Sequence, residues 1–377
     1  MPALLVLPDD PAVVLPALRA ALDGSGPAIM VRPAKLPADA APAPETVPEG
    51  VAVVVETSGS TGRPKRVLLT AEALLASAAA SASVIGEGRW LLALPLTYIA
   101  GLQVLVRSIA AGTEPALLPA GPFDPRVFAA AAEGARYVSV VPVQLARMVQ
   151  SAQSRPEVAA VLAGFERILV GGQRSDPRVL EQAAAIGARV TRTYGSSETA
   201  GGCVYDGEPL PGYRAETIDG ELQLTGPSLF AGYLDDAERT DAALVERDGA
   251  RWYRTGDAGS VDDGRVAVVG RLDDVIISGG VKVALGEVEQ VVREEFPALG
   301  DSVVLRIEDA EWGEGSLVVA DARFCGRRPS LFAVREAVTT RLGRAAAPRR
   351  IHWLEQDLPR LASGKPDRVA IRALAGG

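Results

Sequence analysis

The chain has 377 residues, 39 basic and 47 acidic, for a formal net charge of −8, and is 48% apolar but only 5% aromatic. That length can bury a sizeable core and fits two domains. The acidic balance, with no block of Lys and Arg, excludes a nucleic-acid or anionic-membrane surface as the main partner, because binding to such surfaces is largely electrostatic; a compact anionic ligand in a pocket is still allowed.

The opening Met1-Pro-Ala-Leu-Leu-Val-Leu-Pro-Asp-Asp has no basic start and breaks after a short apolar stretch, so no signal peptide is expected. A Pro- and Ala-rich linker is expected over 37–48, and a buried strand over 51–56 running into a Gly/Ser/Thr loop. A helix is expected over 71–83, a strand over 167–170, a helix over 177–186 and a second strand over 188–193, which together make a βαβ unit. Beyond Leu222 the pattern shifts to short strands and hairpins, with Asp263-Gly264 as the turn between 259–261 and 266–269. A boundary is expected near Gly270. After it come a helix opening at Gly286-Glu287, strands over 302–307 and 316–324, and a helix over 330–342. The fold class expected is α/β: a large N-terminal α/β domain with a β-rich part, 1–270, and a small α+β C-terminal domain, 271–377. The longest apolar runs, 51–55 and 91–94, are far shorter than the roughly 20 residues that span a bilayer.

Two cysteines, Cys203 and Cys325, and one histidine, His352, cannot build a disulfide framework or a conventional zinc site, so a reducing, cytoplasmic setting is expected. Thirty-five of the 39 cations are arginine, and the lysines are Lys35, Lys65, Lys282 and Lys365. Lysine is a compact point charge where arginine is a planar fork, and three of the four lie in glycine-marked segments.

The first such segment is Thr57-Ser58-Gly59-Ser60-Thr61-Gly62-Arg63-Pro64-Lys65. Glycines let backbone N–H groups converge, hydroxyls add donors, and Lys65 supplies a mobile charge, all of which suit a polyphosphate. It is not a Walker A loop, which needs Gly directly before Lys; alone it fits an ordinary surface turn equally well. Further segments follow in order: Gly171-Gly172-Gln173; Tyr194-Gly195-Ser196-Ser197-Glu198 at the end of a strand; Tyr253-Arg254-Thr255-Gly256-Asp257; Gly270-Arg271-Leu272-Asp273, leading to Gly279-Gly280; and Ser363-Gly364-Lys365.

This ordered set resembles the adenylate-forming superfamily, which includes acyl-CoA synthetases, peptide-synthetase adenylation domains and luciferases, and the resemblance covers the chain from about Val51 onward. It implies that Thr57, Ser58, Gly59, Ser60, Thr61, Gly62 and Lys65 hold the phosphates of ATP, and that Gly171, Gly172 and Gln173 form the adenine turn. Tyr194, with Gly195, would stack on adenine, Ser197 would touch the α-phosphate and Glu198 would help hold Mg²⁺, a hard cation suited to oxygen. Asp257 would accept hydrogen bonds from the ribose hydroxyls, Arg271 would contact the nucleotide, and Asp273 would be the hinge of a mobile C-terminal domain. Gly279 and Gly280 would lie along the pantetheine arm of CoA, and Lys365 would bridge the substrate carboxylate and the α-phosphate. Ser197 replaces a more common threonine and keeps the hydroxyl. The segment Val281-Lys282-Val283-Ala284-Leu285-Gly286 departs from the family pattern, which leaves Lys282 as a solvated strand lysine.

The implied reaction joins a carboxylate to AMP, releases pyrophosphate, and passes the acyl group to a thiol. Only about fifty residues precede the phosphate loop, and this shortness, with the segments 94–101, 141–145 and 193–203, is similar to the o-succinylbenzoate:CoA ligases of menaquinone synthesis in a compact form. Such a substrate has a second carboxylate to be held without reacting, which asks for a cation or several donors in an apolar pocket. Arg107 and Arg147 are the candidates, with Tyr98, Gln103 and Gln144 as further lining, although each also fits ordinary packing or surface roles. The expected cofactors and partners are ATP, Mg²⁺, CoA and a small carboxylic acid, with no nucleic acid and no integral membrane association; a homodimer is compatible with the chain. The sequence is also compatible with a CoA ligase for another aryl or fatty acid, an enzyme that loads a carrier protein, and a nucleotide-binding regulatory module.

Overall fold

Runs of β-branched residues bounded by glycine and proline build most of the sheets in a computed structural model of the protein, which describes residues 2–33, 42–57, 65–321, 328–360 and 366–376. The chain divides into two compact units, one of residues 1–215, 223–254 and 264–266, the other of 216–222, 255–263 and 267–377. The mixed α/β class expected from the sequence is what is found. No helix among the described residues is long and apolar enough to cross a membrane.

The first unit carries two sheets. One runs in the order Leu4–Pro8, Ala28–Arg32, Val51–Thr57, Lys65–Thr70, Gly232–Tyr233. Its first three strands are parallel, and helix Pro11–Leu22 crosses over between the first two. Val51–Thr57 then turns back against Lys65–Thr70, with Thr57 directly opposite Lys65, so the two ends of the expected phosphate loop are neighbours. The second sheet has seven strands, in the order Glu208–Pro209, Gly201–Tyr205, Val190–Ser196, Arg167–Val170, Tyr137–Val140, Trp90–Leu92, Ala116–Leu117. Arg167–Val170 and Val190–Ser196 are parallel and joined by helix Pro177–Ala185, the βαβ unit read from the sequence. Asp176 starts that helix by accepting the Arg178 N–H at 2.8 Å, with Pro177 in the first turn.

Helix Ile99–Ala110 is buried almost all round from Gly101 to Ser108, as a helix inside a core must be. Its entry is so tight that a Cβ on Gly101 would lie 2.2 Å from the Pro95 carbonyl oxygen. Gly101→Ala is therefore expected to cost about 3 kcal/mol through overpacking, measured by urea unfolding; an unchanged midpoint would refute the tight entry.

A third sheet follows the order Arg214–Ile218, Glu221–Thr225, Ala250–Asp262, Leu244–Arg247, with Arg265–Arg271 paired to Ala250–Asp262. Asp263 and Gly264 both have positive φ, 48° and 77°, as a two-residue hairpin turn demands.

The second unit holds a sheet ordered Val281–Ala284, Val275–Ser278, Gly313–Asp321, Ser302–Asp309, with Arg350–Leu354 parallel to Gly313–Asp321. Alternation sorts its side chains. Val304, Val318 and Ala320 pack under helices Leu285–Glu295 and Leu331–Leu342, whereas Val303, Leu305, Leu317 and Val319 meet Leu358 and Ile371 on the other face. His352 sits within Arg350–Leu354 opposite Val319, a position in the sheet rather than in a ligand cluster.

Candidate functional site

Strand Val190–Ser196 ends with Tyr194 and Gly195 where a parallel strand meets an antiparallel one, and a tight turn, Ser197–Thr199, follows. Crevices at the carboxyl ends of such strands are where open α/β sheets place ligands. The turn is held from several directions. The Thr199 hydroxyl accepts the Ser196 N–H at 2.9 Å and donates to the Gly201 carbonyl at 2.7 Å. Tyr213 donates to the Ser228 hydroxyl at 2.6 Å, which donates in turn to the Thr199 carbonyl at 2.7 Å. The Phe230 N–H bonds the Glu198 carbonyl at 2.9 Å. Ala200, fully buried, has φ +49° and is the only residue other than glycine and aspartate with positive φ among the described residues. That conformation costs on the order of 1 kcal/mol, and the Ser77 hydroxyl bonds its carbonyl at 3.0 Å.

Glycine is required beside Tyr194, because a Cβ on Gly195 would lie 2.1 Å from the Gly201 carbonyl oxygen. Gly171, likewise, has room only for hydrogen, with Thr193 Oγ1 at 2.4 Å from an added Cβ. The Gly171-Gly172-Gln173 segment thus lies against the strand that carries Tyr194, with Gly172 at φ 83° and Gln173 exposed.

Glu198 is 5% exposed. Its Oε1 accepts the Tyr233 phenol at 2.8 Å and lies 3.5 Å from the Lys65 ammonium, which sits 5.4 Å from the Tyr233 ring centre. Its second carboxylate oxygen makes no hydrogen bond among the described residues. Burial, and then the negative charge of Glu198, push the Tyr253 phenol well above the ordinary tyrosine range, so it stays neutral beside the carboxylate. Glu56, one residue before Thr57, is pinned by Arg32 at 2.6 Å and Arg66 at 3.2 Å. Ser58, Gly59, Ser60, Thr61 and Gly62 lie outside the described residues.

A second polar cluster lies in the core behind the turn. On helix Ile99–Ala110, Gln103 and Arg107 are one turn apart. Gln103 is 1% exposed, its carbonyl oxygen has no hydrogen-bond partner among the described residues, and its Cγ packs against Gly201. Arg107 is 7% exposed, lies over the Trp90 ring at 4.9 Å, reaches the Tyr205 hydroxyl at 3.5 Å, and leaves Nε without a partner among the described residues. No carboxylate pairs with it among the described residues. Ser81 shares a 2.8 Å hydrogen bond with Tyr205. The other candidates fall elsewhere: Arg147 is exposed, and Gln144 spends its amide on the Val141 N–H and the Ala93 carbonyl, both at 3.1 Å. Tyr98, half-buried, begins the Ile99–Ala110 helix. Cys203 is fully buried, and burial pushes its thiol up to about 12, leaving a packing residue rather than a nucleophile.

In the second unit, Asp257 Oδ1 is 3.3 Å from Arg271, which also donates to the Thr255 carbonyl at 3.0 Å and to Asp273 at 3.3 Å. The sequence candidates Asp257, Arg271 and Asp273 thus form one chain of contacts. Gly279 and Gly280, φ 57° and 81°, make the two-residue turn between Val275–Ser278 and Val281–Ala284. A Cβ on Gly279 would lie 2.5 Å from the Trp312 ring, so this glycine also has a local structural reason. Lys282 is exposed on its strand. Lys365 lies outside the described residues, next to Pro366, which bridges to Arg360.

The family described as "AMP-binding enzyme" matches residues 9–234. The chain is 40% identical to a Mycobacterium tuberculosis H37Rv protein named "Probable 2-succinylbenzoate--CoA ligase", over 97% of this chain and 96% of that one. This chain belongs to the AMP-binding enzyme family. Among solved structures, the amide bond synthetase McbA from Marinactinospora thermotolerans superposes with a TM-score of 0.76 at 27% identity, covering 98% of this chain and 80% of that one. The o-succinylbenzoate coenzyme A synthetase MenE from Bacillus subtilis, in complex with ATP and magnesium ion, superposes with a TM-score of 0.79 at 24% identity, covering 98% and 89%. The latter likeness concerns the fold.

Sequence reading of this AMP-binding enzyme missed Tyr233, Ser228 and Tyr205, which stand outside the recognised segments. Their signal is pairing: Tyr233 lies beside Val67 on the strand that begins with Lys65, and Tyr205 lies opposite Thr193.

Proposed function

We propose that this protein activates o-succinylbenzoate with ATP and transfers the acyl group to CoA, giving o-succinylbenzoyl-CoA, AMP and pyrophosphate, as a step of menaquinone synthesis. The observation that carries this reading is the 40% identity to the Mycobacterium tuberculosis protein along almost the whole of both chains. It is an AMP-forming acid–thiol ligase with ATP, Mg²⁺ and CoA as its cofactor and co-substrates. We infer a cytoplasmic setting, where ATP and CoA are both at hand.

In the first half, an oxygen of the succinyl carboxylate attacks the α-phosphorus of ATP, an O–P bond forms, and the bond to pyrophosphate breaks. In the second, the CoA sulfur attacks the acyl carbon and AMP leaves with the electron pair. Neither half needs a protein nucleophile; positioning and charge are enough. Tyr194 with Gly171, Gly172, Gln173 and Gly195 receives the adenine, Asp257 and Arg271 the ribose side, and Ser197 the α-phosphate. The segment 57–62 and Lys65 receive the phosphates. When bound, magnesium supplies a hard positive charge beside them. Glu198 suits it, with one carboxylate oxygen anchored and the other uncommitted among the described residues. Among the described residues no group of three or more metal-ligating side chains exists, so Glu198 would share the ion with the phosphates. Lys365 offsets charge between the substrate carboxylate and the α-phosphate, while Asp273 is the pivot and Gly279-Gly280 the rest for pantetheine, with 271–377 the moving part.

For the second carboxylate we assign Arg107, a buried guanidinium with no anionic partner among the described residues, supported by Gln103. Burying an unpaired cation costs several kcal/mol, which a substrate carboxylate would offset. The test is ATP–pyrophosphate exchange across a panel of aryl, fatty and dicarboxylic acids, followed by thioester detection with CoA. Exchange and thioester with o-succinylbenzoate are expected. Exchange with another acid alone would overturn the substrate, and acyl transfer to a carrier protein but not to CoA would overturn the acceptor.

A further inference from the structure

We propose that Tyr233 is a positioning residue for the Glu198 carboxylate, fixing which of its two oxygens is presented to magnesium. This rests on the adenylate-forming reading above. The Tyr233 phenol donates to Oε1 at 2.8 Å in a buried setting, and the Lys65 ammonium stands 3.5 Å from that same oxygen. Both contacts therefore fall on one oxygen, and among the described residues the other is left for a cation.

The tyrosine is itself held firmly. Its backbone N–H bonds Thr240 Oγ1 at 2.9 Å, its residue pairs with Val67 on the strand led by Lys65, and its ring packs on Phe230 at 4.8 Å. A side chain tethered at backbone and ring, with only its hydroxyl aimed at the carboxylate, is placed to orient rather than to react. The main chain that carries the carboxylate is fixed as well, because the Phe230 N–H bonds the Glu198 backbone carbonyl at 2.9 Å. Without the phenol, the buried carboxylate can turn about its last bond and swing toward Lys65, an arrangement that satisfies its charge and withdraws it from the metal.

The test is calorimetric titration of the full chain with ATP, with Mg²⁺ and in EDTA, for the wild type, Tyr233→Phe, Glu198→Gln and the double variant. Thermal melts confirm folding. Tyr233→Phe is expected to leave metal-free ATP affinity within about twofold and to shrink the Mg²⁺-dependent gain about tenfold, the scale of a hydrogen bond to a charged group. In the Glu198→Gln background the same change is expected to do nothing further. A Tyr233→Phe loss equal with and without metal, a gain unaltered in Tyr233→Phe, or effects of the two substitutions that simply add would each overturn the assignment. A wild type with no Mg²⁺-dependent gain would overturn the reading of the site along with it, whereas failure confined to the variants leaves that reading intact.

Discussion

Lys365→Ala is expected to lower adenylate formation about 100–1,000-fold, the loss seen when one preorganised charge or donor is removed from a developing anion. Thioester formation from supplied acyl-adenylate and CoA should stay close to wild type. The asymmetry follows from the chemistry. In the first half an anionic carboxylate approaches an anionic phosphate, and a compact ammonium between them relieves the repulsion; in the second the acyl carbon is already activated and the leaving group is AMP. In a chain where 35 of 39 cations are arginine, a lysine at this position would suit the proposed point charge between two oxyanions. The two halves are separated by pyrophosphate exchange and by single-turnover release of AMP from the preformed intermediate. Equal losses in both would show that Lys365 does not act in the first half specifically.

Arg107→Met should separate activity from stability. A buried guanidinium over Trp90, with an unpaired Nε and no carboxylate partner among the described residues, burdens the folded state. Its replacement by an apolar side chain of similar length should leave the urea midpoint unchanged or raise it. The same substitution should lower kcat/KM for o-succinylbenzoate about 100-fold, since truncating one partner of a buried charge pair costs on the order of 3 kcal/mol. A monocarboxylic analogue should lose little. Arg147→Met, on an exposed position, is the control that should change neither quantity. Loss of stability without selective loss of the diacid would show that Arg107 serves packing alone.

The parts of the fold that could be read from sequence were those with their own punctuation. Strand Arg167–Val170, helix Pro177–Ala185 and strand Val190–Ser196 are bounded by Gly171-Gly172, an Asp176-Pro177 cap and Gly187, each of which has a local steric meaning. The N-terminal crossover was not read, because helix Pro11–Leu22 contains Pro16 and stands between Pro8 and a glycine-rich exit. At the site, the glycines and the acidic and lysine landmarks sit in short continuous segments and so are legible. Tyr233 is not, since it reaches Glu198 only through the register of a two-residue strand. Arg107 and Arg147 look alike as helical arginines in a sequence, and burial alone separates them. Gln144, read as pocket lining, has both ends of its amide occupied by backbone groups.

Arg271 divides its guanidinium among the Thr255 carbonyl, Asp257 and Asp273, and the contact to Asp273 joins two side chains that are 46% and 52% exposed. Ion pairs so open to water contribute about 0–1 kcal/mol. If residue 273 is the pivot proposed above, the side-chain clasp of Arg271 on it is a soft detent comparable to thermal energy, and the Arg306 bond to its carbonyl at 3.0 Å is the firmer hold.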